Sequence, residues 1–72
     1  MTEKQFLVKL GIRIKQLRTN QDLSQNAFGN EIDMEKSNVS RLESGKVNPR
    51  VATLFKVAKA LHISLADLLE LE

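Results

Sequence analysis

Lys36, Ser37, Ser40 and Arg41 stand at i, i+1, i+4 and i+5, a spacing that lines all four along one stripe if the segment is helical. The stripe offers short polar groups beside longer hydrogen-bond donors, with no bulky apolar residue among them. Groups of this kind bind rather than make or break bonds. The serines Ser24, Ser37, Ser40, Ser44 and Ser64 show no base–nucleophile arrangement and no nucleophile elbow. Gly11, Gly29 and Gly45 are isolated, so no phosphate-cradling glycine loop is present. His62 is the only histidine and cysteine is absent, so neither a usual metal site nor a cofactor is expected. Capping or solvent exposure is the plainer role for His62. Asp33 and Glu35 resemble a carboxylate pair, but in a tight turn they serve geometry and solubility. No catalytic residue emerges, and the chain reads as a non-enzyme. The plain alternative for the stripe itself is an ordinary solvated helix face.

The elements that would carry the stripe follow from hydrophobic spacing. Leu7, Leu10, Ile14 and Leu17 recur three or four apart and predict a helix over about 4–20. Gly11 inside it costs roughly 1 kcal/mol of propensity relative to Ala. It is either a point of close helix approach or a neutral surface position. Ser24 is a good N-cap for a short helix at 24–31, with Leu23 and Phe28 as the two halves of a hydrophobic staple. Its inward stripe is Ala27, Phe28 and Ile32. Asp33 tolerates the left-handed conformation that a tight turn needs. A third helix, 36–44, turns Val39 and Leu42 inward and the polar stripe outward, and Gly45 stops it as a C′ residue. After the Asn48-Pro49 turn, Leu54, Val57, Ala58 and Leu61 predict a helix at 51–61. Ser64 then caps a fifth, with Asp67 at N3 and with Leu65, Leu68 and Leu69 on its apolar side. No alternating run with β-branched enrichment predicts a strand.

Composition agrees with a small globular unit. The 72 residues are 42% hydrophobic and 28% charged, too apolar for disorder. A chain of this length buries only about 60% of its unfolded surface, so one thin core is expected. Three Phe, with no Trp or Tyr, leave little for stacking single-stranded bases. The net charge of +2 names no partner. By segment it is +4 over 1–20, −3 over 21–34, +2 over 35–50 and −1 over 51–72, which permits a basic face on the first and third segments. The apolar run Phe6-Leu7-Val8 is too short for a signal peptide, and no membrane span is present, so a cytoplasmic location is expected.

Two short helices joined by a tight turn, the second bearing small polar and cationic residues outward, describe a helix-turn-helix. A B-DNA major groove, about 12 Å wide, just admits one such helix. Leu23 to Gly45 resembles the helix-turn-helix of the phage repressor and Cro family, also called the xenobiotic-response-element family. The flanks resemble it too: Leu10 to Arg18 before the motif, then Asn48-Pro49, Thr53 to Leu61 and Ile63-Ser64 after it. The resemblance spans roughly residues 8–70. It implies an all-α, compact five-helix repressor-like domain, with residues 1–72 forming a single helix-turn-helix DNA-binding domain.

The resemblance also implies roles. Lys36, Ser37, Ser40 and Arg41 would read base edges, Arg41 with two hydrogen bonds to a guanine worth about 1–3 kcal/mol of discrimination. Ser24, Gln25, Ser44, Lys46, Asn48 and Arg50 would hold the phosphate backbone, Gln25 also bracing the recognition helix. Arg18 and Glu43 would form an internal ion pair. Three positions depart from the family pattern: Gly29 replaces Ala, Asp33 replaces the turn glycine, and Glu35 stands where Ser or Thr usually caps the recognition helix. The implied function is a sequence-specific regulator of double-stranded DNA, a repressor acting as a homodimer, whose dimer surface would draw on Leu65, Leu68, Leu69 and Leu71. The alternatives are a protein-interaction module of the same fold, of antitoxin or coactivator type with a protein partner, and an architectural binder without sequence preference.

Overall fold

Thr2 starts the first helix with a reciprocal capping box: its hydroxyl accepts the Gln5 N–H at 3.1 Å, and the Gln5 side chain accepts the Thr2 N–H at 2.9 Å. The computed structural model describes residues 1–71. Within them lie α1 (Glu3–Asn20), α2 (Gln25–Glu31), α3 (Lys36–Glu43), α4 (Val51–Ala60) and α5 (Leu65–Leu68), with no strand among the described residues. The predicted ranges agree to within a residue, because Ser24, Ser44 and Leu61 are caps rather than helical residues. Ser24 and Ser64 accept the N–H of Ala27 and Asp67, each at 3.0 Å, as N-caps should.

Four helices end alike. Asp22, Asp33, Gly45 and His62 follow α1, α2, α3 and α4 with φ of 57°, 57°, 73° and 60°. In each case the next N–H reaches back to a carbonyl in the last turn: Leu23 to Arg18, Met34 to Gly29, Lys46 to Arg41 and Ile63 to Ala58, at 2.8–3.2 Å. This Schellman closure satisfies the carbonyls a helix end leaves open and reverses the chain sharply. Only one of the four positions is glycine. His62 is thus the exposed C′ residue of α4.

The short connections fold the helices around Leu10, Ile14, Phe28, Ile32, Val39, Leu42, Leu54, Val57, Ala58, Leu61 and Leu68. Long-range side-chain bonds add to these closures at the ends of α4 and α5. Arg13 donates to the Asp67 carbonyl at 2.8 and 3.1 Å, and Gln21 donates to that of Leu61 at 2.8 Å.

Two expectations need correction. Ala27 is exposed, and Gly29 takes the inward place beside Phe28. The reason is the turn: a Cβ at Gly29 would strike the Met34 carbonyl oxygen and come within 3.2 Å of Val39 Cγ2. The leucines near the C-terminus are not spare either. Leu68 is fully buried and Leu65 and Leu71 pack on the core, leaving only Leu69 exposed. The more exposed apolar pair lies on α4, one turn apart: Val51 at 71% and Phe55 at 58%.

Candidate nucleic-acid interface

α3 has a buried edge and an open one. At about 100° per residue, Lys36, Ser37, Ser40 and Arg41 occupy about 140° of its circumference, and all four are exposed. Val39 and Leu42 occupy the opposite side, Glu43 stands at its border, and all three are buried.

Three features hold that buried edge. The first is an ionic network: Arg18 Nε donates to Glu43 Oε2 at 2.6 Å and Nη2 to Oε1 at 3.0 Å, while Gln25 Nε2 reaches Oε1 at 3.1 Å. Arg18 Nη1 also donates to the Leu23 carbonyl at 2.7 Å. One bidentate pair therefore ties the end of α1, the entry to α2 and the end of α3. Its side chains are 8% and 3% exposed, and no buried polar side-chain atom among the described residues lacks a partner. Desolvation offsets much of the attraction in such a pair, but removing one partner would leave the other charge buried and unpaired.

The second feature is close packing at Gly11. A Cβ there would lie 2.7 Å from the Leu42 carbonyl oxygen and nearer still to that of Glu43. Of the two readings open for this glycine, close helix approach is the one the structure contains. Gly45 supplies the third, since a Cβ on it would meet Val8 Cα at 2.8 Å. The chain leaving α3 lies directly on α1.

The remaining site residues lie before and after α3. Ser24 is exposed and accepts its cap bond, which leaves the hydroxyl proton available. Gln25 is half-buried, with its amide engaged by Glu43. Ser44 is exposed and donates to the Ser40 carbonyl at 2.8 Å. Lys46, Asn48 and Arg50 are exposed, and Asn48 meets Glu3 at 3.5 Å. Arg50 is the N-cap of α4 and makes no side-chain cap bond. Among the described residues Lys36, Arg41, Lys46 and Arg50 form no ion pair. The stretch from α3 to the start of α4 therefore presents uncompensated cations.

The first segment contributes less free charge than its sum implied. Arg18 is neutralised by Glu43, whereas Arg13 keeps its charge but is held at the end of α5 by the Asp67 carbonyl. Both roles depend on partners distant in sequence, and only the Arg18 pair carried a signal, through the family resemblance. No helix is long and apolar enough to cross a membrane, and no group of three or more His, Cys, Asp or Glu among the described residues could hold a metal ion.

Known proteins share this arrangement. The helix-turn-helix family profile matches residues 14–68. Control protein C.MunI from a Mycoplasma species is 36% identical over 62 residues, covering 85% of this chain and 84% of that protein. Plasmid copy control protein CopR from Streptococcus agalactiae is 40% identical over 42 residues, or 58% of this chain and 46% of CopR. The crystal structure of the restriction-modification controller protein C.AhdI from Aeromonas hydrophila superposes with a TM-score of 0.83 at 35% identity, covering 86% of this chain and 94% of that one.

Proposed function

The chain belongs to the helix-turn-helix family of Cro and repressor type and is a DNA-binding transcriptional regulator; from that premise we propose that it acts as a homodimeric repressor, blocking polymerase at operators read by α3. Lys36, Ser37, Ser40 and Arg41 read base edges. Ser24, Gln25, Ser44, Lys46, Asn48 and Arg50 hold the backbone. The observation that carries this reading is the division of α3: the edge bearing Lys36 and Arg41 has no task in the fold, while the other edge is clamped.

The dimer draws support from size and surface. Half-sites read from one face of the duplex lie about 34 Å apart, and the molecule measures 31 × 23 × 22 Å, so two copies side by side match the spacing. Val51 and Phe55 supply an apolar face for a second copy. Of the control functions that the relatives' names carry, the restriction-modification one has a nearly full-length match behind it. The plasmid copy one rests on a partial match.

The test is a titration of the protein against its own upstream DNA and against scrambled duplex at several salt concentrations. A specific site should win by at least ~10³-fold. Arg41→Ala should flatten that preference. Lys46→Ala should weaken both duplexes alike and reduce the salt slope by about 1. Equal losses from the two substitutions would undo the division of roles.

A further inference from the structure

We propose that Glu35 is a specificity-determining residue that selects a cytosine at one position of each half-site; the proposal rests on α3 being the reading helix. Glu35 is the N-cap of that helix, with φ −72° and ψ 154°, and its carbonyl accepts the N–H of Asn38 and Val39, both at 3.0 Å. Its backbone is fixed and its side chain is not used. The carboxylate makes no cap bond, and Glu35 has no ion pair among the described residues. It borders an open depression of about 440 Å³ between the face of α2 carrying Asn26 and Asn30 and the start of α3.

Thr2, Ser24 and Ser64 each bond the first turn of their helices, whereas Glu35 and Arg50 make no such bond, and of these two only Glu35 is an anion. At the end of α3 that enters the groove first, the chain thus carries an anion, where phosphates repel it. A carboxylate only accepts hydrogen bonds. The donors on the major-groove floor are cytosine N4–H and adenine N6–H. Adenine sets its N7 acceptor beside N6, which opposes a carboxylate, whereas cytosine presents a donor with no neighbouring acceptor of its own. Cytosine is therefore the base that offsets the repulsion. Lys36, one residue on, borders the same depression but forms no ion pair with Glu35.

The experiment is selection of sites from a randomised duplex library by the full-length protein and by Glu35→Ala, Glu35→Gln and Arg41→Ala, with thermal melts run alongside. Because Glu35 makes no cap bond, Glu35→Ala should fold normally; Glu35→Ser, which restores a cap, is the back-up. Wild-type sites should contain a cytosine whose replacement by thymine costs roughly ten- to hundredfold in affinity. Replacing it with N4-methylcytosine, which removes the groove-facing hydrogen, should cost a similar factor. In Glu35→Ala both penalties should drop below about threefold, and Glu35→Gln should shift the preference towards adenine, its usual partner. A selected site that depends on Arg41 but is unchanged in Glu35→Ala overturns this proposal alone, as does a uniform tightening on every duplex. Failure of the wild type to enrich any site overturns the reading of α3 and this proposal with it.

Discussion

Replacing Gly11 with Ala separates helix propensity from packing. On propensity alone the change should stabilise α1 by about 1 kcal/mol. The structure predicts the opposite sign. The new methyl would sit 2.7 Å from the Leu42 carbonyl oxygen and nearer to that of Glu43, against ordinary contacts of about 3.4 Å or more. Both neighbours are backbone, so α3 must move rather than a side chain rotate. Overpacking of this kind costs about 1–3 kcal/mol, and two carbonyls at once argue for the upper part of that range. After the propensity gain, a net loss of about 1–2 kcal/mol remains. For a domain of this size that lowers Tm by roughly 5–15 °C. Urea and thermal unfolding followed by far-UV circular dichroism measure it, with Lys15→Ala, an exposed position of the same helix, as the near-neutral control. A Gly11→Ala variant as stable as the parent, or more so, would refute the close approach of α1 to α3. Since the displaced carbonyls end α3, the helix to which the proposed function assigns base reading, specific DNA affinity should fall further than the stability loss alone explains.

Other perturbations test the rest of the frame. Arg18→Leu leaves the Glu43 carboxylate buried without its partner and should cost about 3–5 kcal/mol, whereas Arg18→Leu with Glu43→Leu should recover much of it in urea denaturation. Equal stability of the single and double variants would mean that the pair is solvated. His62→Gly relieves an L-residue at φ 60° and should raise stability by about 1 kcal/mol, read as a higher Tm; no gain would mean that the imidazole makes a compensating contact. Val51→Ser with Phe55→Ser should turn a dimer into a monomer in sedimentation equilibrium while leaving the melt of the monomer nearly unchanged, because both side chains are exposed. If the double variant still dimerises, another face is in use.

How far the sequence could be read depends on the range of each interaction. The Ser24 cap, the left-handed Asp33 and the Gly45 stop are set by neighbours a few residues away, and all three could be placed from residue type. Asp22 and His62 end helices in the same way, but unlike Asp33 neither stands at the turn that the helix-turn-helix resemblance marks. Their role follows only from where the chain must reverse. α2 shows a different limit. Phe28 and Ile32 fix its buried axis, and Ala27 and Gly29 flank that axis on either side. Hydrophobicity favours Ala27, but the returning turn at Met34 requires the residue without a Cβ. The ties from Arg13 to Asp67 and from Gln21 to Leu61 span 54 and 40 residues and have no local signature at all. At the site itself, the exposed face of α3 was legible because Val39 and Leu42 fix what faces inward. The state of Glu35, a cap that does not cap, was legible only as a departure from the family pattern.

These ranges also decide which parts of α3 can change independently. A helix of eight residues is far below the length at which an isolated helix holds in water, and this one has no side-chain cap to help it start. Its structure therefore comes from tertiary contacts: Val39 and Leu42 in the core, Glu43 on Arg18 and Gln25, and the carbonyls seated on Gly11. Residues on the open edge take no part in that set. Substituting Ser37, Ser40 or Arg41 should alter what is bound while changing stability by no more than about 0.5 kcal/mol. Substituting any member of the clamped edge should act first as local opening of α3, at a free energy below that of global unfolding. The physical consequence is a separation of variables: hydrogen exchange at the amides of Val39 to Glu43 should respond to Arg18 and Gly11 but not to Arg41, although under the proposed function all three substitutions should reduce specific DNA binding. Faster exchange in Arg41→Ala would show that the two edges are coupled and that the open edge also supports the helix.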